Sequence, residues 1–154
     1  MTEVRVGVVD VCVLRKSGRA WKVLTLRRAS GRSPGSWELV HGHIEKGELP
    51  AVAARRELRE ESGLTTDRLY AITASSFYLL KNDSVMISLV FAAIVDAARV
   101  TTGPEHDRYE WLSFAAAKKR LTWPRDAESV RHALQLLKSG DAGAVEDVLR
   151  ADND

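Results

Sequence analysis

Cys12 is the only cysteine among 154 residues, so the chain can form neither an internal disulfide nor a cysteine-based metal centre, and a reducing cytoplasm is the expected compartment. No charge of one sign dominates, since 23 Lys and Arg face 21 Asp and Glu; no global field draws the protein to nucleic acid or lipid, and any anion must be held locally. No basic stretch followed by an apolar run and a cleavage site opens the chain, and Asp10 interrupts the early valines, which argues against an export signal or a membrane partner. Repeats, low-complexity tracts and long linkers are also missing. What remains is an ordinary globular composition, 45% apolar and 29% charged, at a length that suits one domain with its own core. The expectation is a single domain over residues 1–154.

The alternation of Val4, Val6 and Val8 changes phase to Val9, Val11 and Val13, which predicts a strand with a bulge or bend. A hairpin loop at Lys16–Arg19 leads to a second strand over Trp21–Leu26, and a turn-forming cluster from Ser30 to Gly35 precedes a short strand at Trp37–Val40. Pro50 to Ser62 reads as a helix, with Pro50 in its first turn and Gly63 past its end. Strands follow at Tyr70–Leu80 and Ser84–Val95, joined by Lys81 to Asp83, and a short one at Trp111–Leu112. Helical spacing returns at Phe114–Arg120, Ala127–Leu137 and Ala142–Leu149, the last with Asp141 as its cap. The order implies an α+β domain in which helices flank a mixed sheet.

Within the first helix Glu57, Glu60 and Glu61 stand at i, i+3 and i+4, so three carboxylates share one side of the cylinder. Ala51, Ala54 and Leu58 form the adjoining stripe that can pack on a sheet. A solvated acidic face is the ordinary alternative. Against it, like charges at these spacings repel by about 0.2–0.5 kcal/mol per pair, and anions in the last turn oppose the helix dipole by about 0.3–1 kcal/mol each. A divalent cation removes both penalties, and magnesium takes oxygen ligands of this kind together with water and substrate phosphates. Such a site suits hydrolysis of a phosphoanhydride.

The helix belongs to a longer run, GHIEKGELPAVAARRELREESGL, from Gly42 to Leu64. Gly42 is followed by five residues and Glu48, then seven residues and Arg56-Glu57-Leu58, then Glu60-Glu61 and Gly63-Leu64 after one residue each. This run resembles the Nudix box at every specified position. The resemblance implies an α/β/α sandwich around a central mixed sheet, with Glu57, Glu60 and Glu61 holding Mg2+, or Mn2+ in its place. It also implies a further carboxylate from outside the box, for which Glu105 is the candidate and Glu110 the competitor. The general base is then Glu57, Glu61 or Glu105, with Glu57 preferred. Glu48 and Arg56 are read as tying loop to helix, and Gly42 and Gly47 as backbone turns that bring the loop close to phosphate. Just before the box, Val40-His41 replaces a frequent Pro-Gly, which loosens any substrate assignment borrowed from the family.

Arg27 and Arg28, at the end of the second strand, are the expected phosphate-binding cations, although by order alone a pair of solvated strand-end residues fits equally well. Phe77, Tyr78, Trp37 and Trp123 could stack on a heterocycle, and His41, His43 and His106 could reach phosphate or base, although core or surface roles are commoner for these residue types. Glu105–Leu137 is similar to the corresponding end of bacterial dihydroneopterin triphosphate pyrophosphatases, also described as dATP pyrophosphohydrolases. That resemblance implies a nucleoside or pterin triphosphate cut to monophosphate and pyrophosphate. Dinucleoside polyphosphates and oxidised nucleotides come next. Two rivals stay open, a nucleotide-sensing module without turnover and an RNA-cap hydrolase; near-neutral charge speaks against an extended RNA track. A homodimer is compatible with the sequence, which does not fix the oligomeric state.

Overall fold

In the computed structural model, which describes residues 1–151, one strand organises the rest. Strand β1 (Glu3–Ser17) pairs parallel with β6 (Ser84–Ile94) along one edge. Its other edge changes partner midway. Val8 to Val11 pair with β4 (Val40–His43), whereas Leu14 to Ser17 pair with β2 (Ala20–Arg28). Strand β2 therefore leaves β1 at its C-terminal half and pairs instead with β3 (Trp37–Glu38) and β7 (His106–Leu112). The split brings β4 and the end of β2 to one end of the sheet.

Strand β5 (Arg68–Leu79) adds to β6 antiparallel, and β8 (Arg150–Ala151) covers its outer edge. The sheet is thus mixed and eight-stranded. The expected irregularity in β1 falls between Val6 and Val8, at Gly7, one residue before the phase change in the valines. Beyond it β1 is buried on both faces, which is why its valines run nearly unbroken.

Each face carries its own core. Val9, Val11 and Val13 pack with Leu24, Phe91 and Leu58 beneath α1 (Pro50–Ser62). Cys12 and Leu14, on the opposite side of β1, pack with Val130 and Leu137 of α3 (Pro124–Leu137) and Ala117 of α2 (Phe114–Arg120). This is an α/β/α sandwich. Helix α1 begins with Pro50 in its first turn and ends at Gly63, whose φ of +73° closes the helix in the left-handed region open to glycine.

Three elements differ most from the sequence expectation. The strand expected at Trp37–Val40 breaks at Leu39 into β3 and β4, because the first pairs with β2 and the second with β1. The strand expected at Trp111–Leu112 extends back to His106, because β2 supplies a ladder from Val23 to Arg28. The helix expected over Ala142–Leu149 is instead a 3-10 turn at Gly143–Val145 followed by four residues of α4 (Glu146–Leu149), since Gly143 sits at φ +55° and cannot continue an α-helix. Asp141 caps neither piece; its Oδ1 accepts from the Gly143 N–H at 2.9 Å, a local turn ahead of the 3-10 segment. Among the described residues no helix is long and apolar enough to cross a membrane.

Candidate active site

The final two turns of α1 present Glu57, Glu60 and Glu61 at the end of the sheet where β1 exchanges β2 for β4. Glu61 is buried, and its Oε1 accepts the backbone N–H of His41 at 2.8 Å. Glu57 Oε1 accepts Nη1 of Arg56 at 2.7 Å, and Glu60 lies more exposed, 3.3 Å from the same nitrogen. Arg56 is the organiser of this group. It grips Glu48 through Nε at 2.8 Å and Nη2 at 2.9 Å, and Nη2 also donates to the His43 carbonyl at 2.9 Å, so loop and helix are joined by one planar guanidinium. Glu48, thus bonded, is held down to about 2.

Gly42 stands in β4, paired with Val9, rather than in a turn. Its missing side chain has a different purpose, because a Cβ there would come 2.0 Å from Glu57 Cδ. Gly47, at φ +78°, does make the backbone turn. A second close approach occurs at Gly103, where a Cβ would meet the Glu60 carbonyl at 2.7 Å. The loop before β7 therefore lies against the end of α1, and it carries Glu105 and His106 to the acidic face. One ligand atom each from Glu61, Glu105 and His106 lie within 4.8 Å of one another. Glu110, the competing candidate, is drawn to Arg120 at 3.1 Å and Arg108 at 3.4 Å.

Burial, reinforced by neighbouring carboxylates, pushes Glu57 up and Glu61 well above the usual carboxylate range. Buried Glu61 Oε2 has no hydrogen-bond partner among the described residues, and neither has His106 Nδ1. Crowded acids with an unpartnered buried oxygen fit a divalent cation, which supplies the charge that the protein withholds.

The acids themselves line a cavity with Pro104 and Glu105, and two further cavities adjoin it. The nearer, bounded by Glu57, Glu105, Gly42 and His43, is also lined by Arg28 and Arg32. Arg28 and Arg32 line the second cavity too, together with Phe77, Tyr78, Trp123 and the buried acids Asp10 and Asp126. Arg27 lines neither; its guanidinium is bonded to Asp107 at 2.8 and 2.9 Å, so Arg28 is the cation this strand end offers. Arg28 in turn donates from Nη1 to Glu38 Oε1 at 2.9 Å, and the same oxygen lies 2.8 Å from His106 Nε2. Trp37 is away from this cavity, under the guanidinium of Arg120 at 4.5 Å from the ring centroid.

In the second cavity Arg125 lies over Phe77 and Trp123, at 4.3 and 4.8 Å from the ring centroids. Asp10 accepts from Ser88 and meets His41 Nδ1 at 2.8 Å. Burial works to raise Asp10, but those bonds and the His41 charge outweigh it, and the carboxyl is held below its ordinary range. Burial pulls His41 down, but the Asp10 bond and surrounding acids more than compensate, leaving the ring raised. For Asp126 the charges of Arg125 and His41 offset only part of the burial. Burial and the nearby Asp10 charge push it up to about 7. Asp10, Glu38, Arg32, Arg125 and Asp126 escaped the sequence reading. The available signal was a charged residue inside an apolar strand, as with Asp10 among valines and Glu38 between Trp37 and Leu39.

The NUDIX domain profile matches residues 4–133. The chain is 35% identical over 130 residues to an octanoyltransferase of Myxococcus xanthus, covering 81% of this chain and 36% of that protein. It is 31% identical over 107 residues to the oxidized purine nucleoside triphosphate hydrolase of Mus musculus, covering 69% and 67%. The chain thus spans about a third of the first relative and two thirds of the second. Among solved structures, the dihydroneopterin triphosphate pyrophosphohydrolase of E. coli superposes with a TM-score of 0.70 at 20% identity, covering 85% of this chain and 96% of that one. With the complete box running from β4 through α1 and the family profile over most of its length, the chain belongs to the Nudix family.

Proposed function

We propose that the protein hydrolyses a phosphoanhydride in a nucleoside or pterin triphosphate, releasing the monophosphate and pyrophosphate. The observation that carries this reading is the position of Arg28 and Arg32, which line both the aromatic cavity and the groove beside Glu57 and Glu105. A heterocycle among Phe77, Trp123, Asp10 and Asp126 can then extend its phosphates past two guanidiniums to the acids. Asp10, held ionised, accepts hydrogen bonds, and Asp126, which titrates near neutrality, can accept or donate. That pair suits the N–H-rich edge shared by pterins and amino-substituted purines. The names borne by the Mus musculus and E. coli relatives point to the same class of compound.

Magnesium or manganese at Glu57, Glu60, Glu61 and Glu105 would neutralise charge on the phosphates and polarise the phosphoryl oxygens. Arg28 and Arg32 orient the chain of phosphates. Water attacks one phosphorus, the anhydride P–O bond breaks, and the proton lost by water passes to a carboxylate. Glu57 is the base we assign, because it borders the groove and burial raises its proton affinity. Gly42 gives that carboxylate its place.

The test is a panel of nucleotides and pterin triphosphates with product identification, run beside Glu57→Gln and Glu61→Gln. At least tenfold losses are expected in both variants, equivalent to about 1.4 kcal/mol or more of transition-state stabilisation. Activity like that of the parent in both would overturn the assignment. Tight binding without turnover across the panel would favour a nucleotide sensor instead.

A further inference from the structure

The ring of His106 has a fixed side and an unclaimed one. Its Nε2 lies 2.8 Å from Glu38 Oε1, which also accepts from Arg28 at 2.9 Å. An ionised carboxylate accepts only, so the Nε2 hydrogen is directed at Glu38 and, in the neutral ring, the lone pair is left on Nδ1. That atom is fully buried and has no partner among the described residues. It faces Glu61 Oε2, likewise buried and unpartnered, at 3.8 Å. Two buried polar atoms this close, neither of them hydrogen-bonded among the described residues, are costly to bury.

The separation is too long for a hydrogen bond and shorter than two metal–ligand bonds of about 2.1 Å laid end to end. A cation can therefore touch both atoms without movement of the backbone. Glu105 brings an oxygen to within 4.8 Å of both. A histidine whose far nitrogen is tied to a carboxylate, itself tied to an arginine, is the usual support for a nitrogen metal ligand.

We infer that His106 Nδ1 is a direct ligand of the divalent cation, together with Glu61, and that this nitrogen tilts the site from Mg2+ toward later first-row cations such as Co2+. The inference rests on the proposal that the acidic face binds a cation at all. It goes further in giving one histidine a coordinating atom. All-oxygen sites suit Mg2+, whereas imidazole suits the later first-row metals.

Pulsed EPR of Mn2+ bound to the full chain, without nucleotide, tests this directly. A directly coordinated 14N should modulate the echo, change when the histidines are 15N-labelled, vanish in His106→Gln and persist in His41→Gln and His43→Gln. His132→Gln, which should also leave the coupling intact, completes the elimination even if His106→Gln fails to fold. In parallel, His106→Gln should weaken Co2+ binding by about 10–100-fold and Mg2+ binding by less than threefold. Bound Mn2+ without nitrogen coupling, coupling that survives His106→Gln or is lost in any control, or equal loss of Co2+ and Mg2+ would overturn the nitrogen ligand alone. An undiminished spectrum of free Mn2+ would overturn the cation site itself.

Discussion

Glu57 occupies the space where Gly42 has no side chain: a Cβ on Gly42 would lie 2.0 Å from the Glu57 Cδ and 2.1 Å from its Oε1. The backbone there is ordinary β-strand, so alanine is conformationally permitted, and the far end of a glutamate can swing aside. Gly42→Ala is expected to change stability by less than about 1 kcal/mol while lowering turnover at least tenfold. Parallel thermal melts and pyrophosphate-release assays check this; a variant that stays active would show that Glu57 is not needed in its observed position.

Arg56 holds Glu48 with two nitrogens and touches Glu57 and the His43 carbonyl as well. Lysine has one ammonium and cannot reproduce this fork. Arg56→Lys should keep the fold yet weaken Mn2+ binding by roughly three- to tenfold, measured by calorimetry, because the loop and Glu57 lose their common anchor.

Asp126 makes stability depend on pH in a direction opposite to most carboxylates. Its folded value, about 7, lies above the ordinary 3.8. The native state therefore holds the proton more tightly than the unfolded chain, and the contribution is fully present below about pH 4 and is lost as pH rises toward 7. Asp126→Asn removes the loss. The variant should gain about 2–4 kcal/mol on the parent protein between pH 4 and pH 8, read from denaturant melts at several pH values. A gap between the two proteins that does not widen with pH would refute the assignment.

Arg125 offers its guanidinium face to Phe77 and Trp123 inside the aromatic cavity. If the substrate's heterocycle is seated there, Arg125→Ala should raise KM at least fivefold with kcat nearly unchanged, since the contact is equally present in ground and transition states. Steady-state kinetics on the best substrate of the panel decide it; a fall in kcat with constant KM would put Arg125 beside the reacting phosphates.

Much of this site is legible in the sequence because it is local. Pro50, Gly63 and the spacing of Glu57, Glu60 and Glu61 fix a helix and its acidic face within a single run of residues. The pairing of Arg56 with Glu48 lies in the same run. What could not be read depends on register between distant strands. Arg27 and Arg28 are indistinguishable in order, yet one meets Asp107 and the other Glu38, with a ladder irregularity between them. The purpose of Gly42 required knowing that β4 lies beside α1. Asp10 and Asp126 are 116 positions apart and share a cavity only because α3 crosses the face of β1 that carries Asp10.

One oxygen, Oε1 of Glu38, accepts hydrogen bonds from both Arg28 and His106. Arg28 borders the aromatic cavity, and His106 borders the acids of α1. Anything that draws Arg28 toward a ligand redistributes the bonding of that shared oxygen and so alters how firmly the imidazole is pinned. Thermodynamic reciprocity then requires occupancy at either end to change affinity at the other by the same factor. If the acids hold a metal and the cavity a nucleotide, the two loadings form a single coupled equilibrium, and a dissociation constant for one has meaning only at a stated concentration of the other.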